Sequence, residues 1–155
     1  MTARNLATTD RVGREELLAF IGERHQVTLV TSREDGRPQV SPVTAGVDEE
    51  GRVVVSTYPQ RAKVVNLRKR PECTILVHSD DWDGPYVQVD GTAEVIDAPA
   101  SVEPLVDYFR AISGEHPDWA EYRQAMLEQN KSIIRLTIER WGPIATGGFP
   151  PEMAD

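Results

Sequence analysis

Two cations two positions apart, Arg61 and Lys63, stand at the front of "PQRAKVVNLRKRP" (residues 59–71), a stretch with five basic residues and no acidic one. The chain around it is acidic. It carries 17 Lys plus Arg against 25 Asp plus Glu, net −8, and without this stretch 12 would face 25. Positive charge is therefore local. Residues two apart on a regular helix do not face each other, so this pair converges only where a helix begins, with Arg61 at or just before the first helical residue. There a guanidinium, an ammonium and the unpaired N–H groups of the first turn suit a phosphate-sized anion. Charge pattern alone fits a solvated helix face equally well. Arg68, Lys69 and Arg70 fall in the last turn, where the helix dipole accounts for them without any ligand.

The other reactive residue types are sparse. A single cysteine, Cys73, excludes an internal disulfide and reads as buried and inert. His25, His78 and His116 show no ligand spacing, so no metal is expected. There is neither a Gly-x-Gly-x-x-Gly fingerprint nor a Walker phosphate loop, which removes a Rossmann dehydrogenase. The acidic balance opposes general binding to nucleic acid or an anionic membrane, and no row of aromatics accompanies the basic stretch. No apolar run approaches the roughly 18 residues that span a bilayer. "MTARNLATTDRVGREE" lacks the apolar middle of a signal peptide, so the expectation is a cytoplasmic protein.

The elements that must position these residues follow from periodicity. "GREELLAFIGERH" places Leu17, Leu18, Phe20 and Ile21 near one face of a short helix. "QVTLVTS" and "QVSPVTAGV" flank the turn signal Asp35-Gly36 and predict a hairpin, which "DEEGR" and "VVVST" extend to a three-stranded meander. Residues 60–70 predict a short helix between Pro59 and Pro71, with Val64, Val65 and Leu67 as its apolar side. "ECTILVH" is a strand, and "YVQVDGTAEVI" alternates with Val87, Val89, Ala93 and Val95 on one face. Two helices fill 99–129, one with Val102, Leu105, Val106 and Phe109 in line, the other starting near Asp118 with Glu121 as capping-box partner. Trp119, Tyr122 and Met126 on that second helix read as core. "SIIRLTIERW" returns to strand with Ile134, Leu136 and Ile138 inward, and "GPIATGGFPPEMAD" is too rich in Gly and Pro to continue regular structure. The sum is a mainly β fold with inserted helices (α+β), a barrel-like antiparallel sheet of about six strands.

"GRPQVSPV", the strand-helix-strand "STYPQRAKVVNLRKRPECTILV" and "GEHPDWAEYRQAM" together resemble the split β-barrel flavin and deazaflavin oxidoreductases. That is the pyridoxamine 5′-phosphate oxidase-like superfamily with its FMN-binding split barrel, and the likeness is to its coenzyme F420-dependent, biliverdin reductase-like branch. It runs from His25 to Trp141. It implies that Arg61 and Lys63 hold the cofactor phosphate, that Ser56 and Thr57 add contacts there, and that Gln39, Ser41, Pro42 and Val43 lie against the deazaflavin ring. Pro42 also has a local meaning, since it cannot donate in a ladder and marks an edge or bulge. Trp82 matches a position bordering the cofactor pocket, often from the neighbouring subunit; packing or a dimer contact is the other reading. His78 is either a donor to ring or substrate or an ordinary strand-end histidine, and Asn66 is first a helix-orienting residue.

The resemblance implies a reductase passing a hydride from reduced F420 to a conjugated or quinone-like small molecule. The alternatives are an FMN-dependent oxidase-like enzyme and a non-catalytic protein of the same fold that binds F420, flavin or haem. The resemblance implies a homodimer with the cofactor at the subunit interface; at 155 residues the chain fits a single cofactor-binding domain over 1–155, loose over about ten N-terminal and twelve C-terminal residues. No residue is assigned as catalytic.

Overall fold

Strands whose alternate side chains are apolar must turn one face to a core, and here six of them close around it. The computed structural model describes residues 5–154. In chain order they form β1 (Thr8–Asp10), α1 (Arg14–Gly22), β2 (Gln26–Ser32), β3 (Pro38–Val47), β4 (Val53–Thr57), α2 (Ala62–Lys69), β5 (Glu72–Val77), β6 (Val87–Ile96), α3 (Val102–Ser113), α4 (Trp119–Glu128), β7 (Ser132–Trp141) and β8 (Ile144–Thr146). The closed antiparallel barrel runs β2-β3-β4-β7-β6-β5 and back to β2. This is the expected mainly β architecture with inserted helices, including the β2-β3-β4 meander.

The barrel interior is filled by Val27 and Leu29 of β2, Val53 and Val55 of β4, Ile75 and Val77 of β5, Val87 and Val89 of β6, and Ile134, Leu136 and Ile138 of β7. Both helices adjoining β2 and the basic stretch add to that core: Leu17, Phe20 and Ile21 from α1, Val64 and Leu67 from α2. A second cluster covers the outer face of β4 and β7, where Val54 and Ile133 meet Leu105, Val106, Tyr122 and Met126 of the α3–α4 pair. Trp119 is half-buried against the same cluster, so the three core residues predicted on α4 all pack there.

Three local expectations need correction. Val65 is exposed at 46%, because at about 100° per residue it is turned away from the inward face that Val64 and Leu67 share; Asn66 is buried where its amide meets the Thr31 hydroxyl of β2. The capping box at α4 is half formed: Asp118 accepts from the Glu121 N–H at 3.1 Å, but its own N–H goes to His116 Nδ1 at 2.9 Å. The Gly- and Pro-rich tail contains β8, which pairs with β1 in the register Thr9↔Ala145, followed by a 3-10 turn at Pro151–Met153. A three-residue strand tolerates Gly and Pro on its flanks, and Gly148 (φ 142°) leaves room for the Asn5 carbonyl where a side chain would collide. Of the terminal stretches expected to be loose, residues 1–4 and 155 lie outside the described residues.

Candidate functional site

The β3–β4 ladder stops early. It pairs Ala45↔Val55, Gly46↔Val54 and Val47↔Val53, and among the described residues the segment Pro38–Thr44 pairs with a strand only on its β2 side, while at its end the Thr44 carbonyl accepts from the Tyr108 hydroxyl of α3 at 2.8 Å. Ala45 donates to the His25 carbonyl at 2.9 Å, and the alternation of an antiparallel pair then makes Thr28↔Pro42 a non-hydrogen-bonded pair. The ring nitrogen of Pro42 therefore faces the open side, where no ladder bond is lost. The expected edge is present at Pro42; the register shift of this sheet lies elsewhere, at Asp90/Gly91.

Side chains alternate along this free segment. Thr31, Leu29 and Val27, the partners of Gln39, Ser41 and Val43, are buried, so these three point to the interior side, and Pro42 points outward. On β4, Val53 and Val55 belong to the interior, which places Thr57 inward and Ser56 outward. Ser41 Oγ and Thr57 Oγ1 are the two fully buried side-chain atoms left without a hydrogen-bond partner among the described residues. A buried hydroxyl without a partner costs about 1–3 kcal/mol. Two of them flank the gap where β3 and β4 separate.

Helix α2 starts beside this gap. Arg61 is its N-cap, with extended backbone (φ −65°, ψ 145°) and no side-chain cap. Its carbonyl accepts from the N–H groups of Val64 and Val65 at 3.0 and 3.1 Å, so the preceding N–H groups of the first turn stay available. Neither Arg61 nor Lys63 has an acidic partner among the described residues. Burial lowers the Lys63 pKa from its ordinary 10.5, and the Arg61 charge lowers it further. The later cations differ: Arg68 forms a fork on Asp97 at 2.7 and 2.8 Å, and Arg70 donates to the Ser32 carbonyl at 2.9 Å.

Sequence reasoning missed two neighbours. Tyr58 lies under both the Arg61 guanidinium (5.8 Å) and the Lys131 ammonium (4.7 Å). Tyr58 stood in the quoted motif, whereas Lys131 is brought in only by the Thr57↔Ser132 pairing of β4 with β7.

At the far end of the β3 edge, a cavity of about 490 Å³ is lined by Pro42 and Val43 together with Thr28, His78, Asp80 and Trp82. His78 Nε2 lies 2.8 Å from Thr28 Oγ1, and the Trp82 ring is stacked on the imidazole at 6.4 Å and 14°. Trp82 is 88% exposed. The structure thus divides the predicted residues: Pro42, Val43, His78 and Trp82 border the cavity, while Gln39, Ser41, Thr57, Arg61 and Lys63 lie toward α2, and Ser56 faces the other side of β4. From Gln39 to Val43 the free edge measures roughly 14 Å at about 3.4 Å per residue, long enough for an elongated ligand. Cys73 is buried, and burial pushes its thiol up to about 12, so it is not a nucleophile.

Residues 14–145 match the family profile described as pyridoxamine 5′-phosphate oxidase. A pyridoxine/pyridoxamine 5′-phosphate oxidase of Burkholderia lata is 29% identical over 142 residues, covering 88% of this chain. The chain spans 64% of that relative's length. Among solved structures, a conserved hypothetical protein of Mycobacterium tuberculosis superposes with a TM-score of 0.73 at 22% identity, over 92% of this chain and 89% of that one. A structure named F420 reductase gives 0.61 at 22% identity over 85% and 98%. A heme binding protein from Mycobacterium smegmatis gives 0.61 at 22% over 84% and 53%. At these identities the structural likenesses show the fold.

Proposed function

The chain belongs to the pyridoxamine 5′-phosphate oxidase family, and within that family we propose an oxidoreductase dependent on coenzyme F420 that reduces a conjugated or quinone-like small molecule. The observation that carries the reading is the pair Arg61 and Lys63, unpaired at an uncapped helix start in a chain of net charge −8. A phosphate there would restore the charge-favoured state of Lys63 and take up the free N–H groups. The orphaned hydroxyls of Ser41 and Thr57 fit a polar ligand lying in the β3–β4 gap.

When bound, the reduced deazaflavin supplies the hydride at its C5. The chain's own residues do the rest. Arg61 and Lys63 hold the phosphate, and Gln39, Ser41 and Thr57 offer hydrogen bonds along the gap. Pro42 and Val43 present a flat wall with no N–H donor at Pro42. Ser56, facing away, contributes through its backbone. Trp82 shields the cavity from water, and His78, with Nε2 engaged by Thr28, keeps Nδ1 for an oxygen of ring or substrate. No proton donor is assigned, since the cofactor carries the hard chemistry and the protein supplies orientation and electrostatics.

The same cation pair suits the phosphate of FMN, which is the second reading; a binding protein without turnover is the third. The proposal includes a homodimer with the cofactor at the subunit interface, supported by the unpaired β3 edge and by exposed Val40 (56%) and Trp82 beside it. It also includes a cytoplasmic setting, where a separate dehydrogenase regenerates the reduced cofactor. Titrating F420 by fluorescence tests the site. Arg61→Ala with Lys63→Ala raises the dissociation constant at least roughly tenfold, about 1.4 kcal/mol, and Arg68→Ala with Lys69→Ala changes it little. Equal losses would mean a diffuse field, and no loss in the first would mean those cations face only water.

A further inference from the structure

Beneath α2 runs a chain of hydrogen bonds with a single direction. Arg70 Nη2 donates to Asn66 Oδ1 (3.4 Å), Asn66 Nδ2 donates to Thr31 Oγ1 (3.1 Å), and the Thr31 hydroxyl donates to Gln39 Oε1 (2.7 Å). Its polarity is set at one end. A guanidinium has donors only, so Asn66 must meet it with oxygen, which turns the Asn66 amide N–H toward Thr31. The Thr31 hydroxyl, having accepted, spends its one proton on Gln39, and the Gln39 amide is thereby locked with its oxygen held inside. Arg70 is itself anchored by the Ser32 carbonyl, and Thr31 is 1% exposed. The Gln39 Nε2 group makes no hydrogen bond among the described residues.

We propose that Arg70, Asn66 and Thr31 are positioning residues that orient Gln39 so that its Nε2–H₂ donors, and never its oxygen, face the β3–β4 gap, making that point of the gap specific for a ligand group that accepts hydrogen bonds. A carbonyl oxygen or an unprotonated ring nitrogen meets the requirement; an N–H or an ammonium does not. The inference rests on the cofactor reading of the gap for its ligand but not for the orientation itself. It gives Asn66 a role beyond orienting the helix, and Arg70, in the basic stretch, one beyond the helix dipole.

Two measurements separate the orientation from the ligand. In the ligand-free protein, the side-chain amide resonances of Gln39 are compared between wild type, Thr31→Ser and Thr31→Val. The hydroxyl variant keeps the resonance positions, and the isosteric valine moves them; unmoved resonances in Thr31→Val overturn the relay. With F420 as probe, Thr31→Val and Gln39→Glu each weaken binding roughly tenfold and Thr31→Ser stays within about twofold. Gln39→Glu still accepts from Thr31 but replaces the outward donors by an acceptor oxygen that also brings a negative charge. Wild-type affinity in Gln39→Glu would therefore overturn the specificity claim even if Thr31→Val failed to fold. Should F420 not bind the wild type at all, the cofactor reading falls, and the resonance comparison still decides the relay.

Discussion

Lys63 is the residue on which electrostatics and burial meet. Its lowered pKa means that holding the charged form in the folded chain carries a penalty. That penalty is present below the folded pKa and fades as pH rises toward 10.5. A bound phosphate reverses the balance, so binding raises the Lys63 pKa and takes up a proton at alkaline pH. Affinity for an anionic cofactor is expected to fall with rising pH at a value below 10.5, and Lys63→Arg is expected to flatten that fall, since a guanidinium stays charged. Titrations between pH 7 and pH 10 in both proteins check this, and parallel profiles would detach Lys63 from the anion. Arg68 illustrates the contrast. Its fork on Asp97 is 42% and 47% exposed on the two sides, so the pair is worth at most about 1 kcal/mol of stability.

At the scale of elements, the early end of the β3–β4 ladder opens the gap beside α2, and a register shift sets how β6 runs against β7. At Gly91 the β7 backbone comes so near that a Cβ would overlap the Thr137 carbonyl. Gly91→Ala is expected to cost about 3 kcal/mol in urea denaturation, and Gly13→Ala, with nothing within 4 Å, is the control. Removing the cap of α4 in Asp118→Ala is expected to cost about 1 kcal/mol. Much of this level was legible beforehand. β-branched runs and turn signals predict β2 to β5, alternation predicts β6 and β7, and Pro59 marks where the α2 segment begins, because those signals are local. What escaped was non-local. The inward turn of Thr57 and the outward turn of Ser56 depend on register with β7, β8 forms by pairing with β1 and with Tyr86, and the Arg70–Asn66–Thr31–Gln39 relay joins three elements. Val65 was misassigned because a run of apolar residues on a short helix does not say which of them face inward.

On the scale of the whole molecule, the Pro38–Val43 edge has no second strand among the described residues and Trp82 is exposed, which is the physical ground for proposing a second copy there. Light scattering at micromolar concentration should give about twice 17.3 kDa, and Val40→Lys, charging the exposed edge, should shift the mass toward one copy; a wild-type mass near 17.3 kDa would contradict the dimer. We propose that residues 1–155 fold as one unit, to be seen as a single unfolding transition by fluorescence and circular dichroism together. Our proposal is that the edge from Gln39 to Val43, ended by Arg61 and Lys63, holds a deazaflavin. Its most direct test is a side-by-side equilibrium titration of the purified protein with F420 and with FMN, read by absorbance and fluorescence. Saturable F420 binding at least roughly tenfold tighter than FMN is expected; tighter binding of FMN, or saturation by neither, would overturn the proposal.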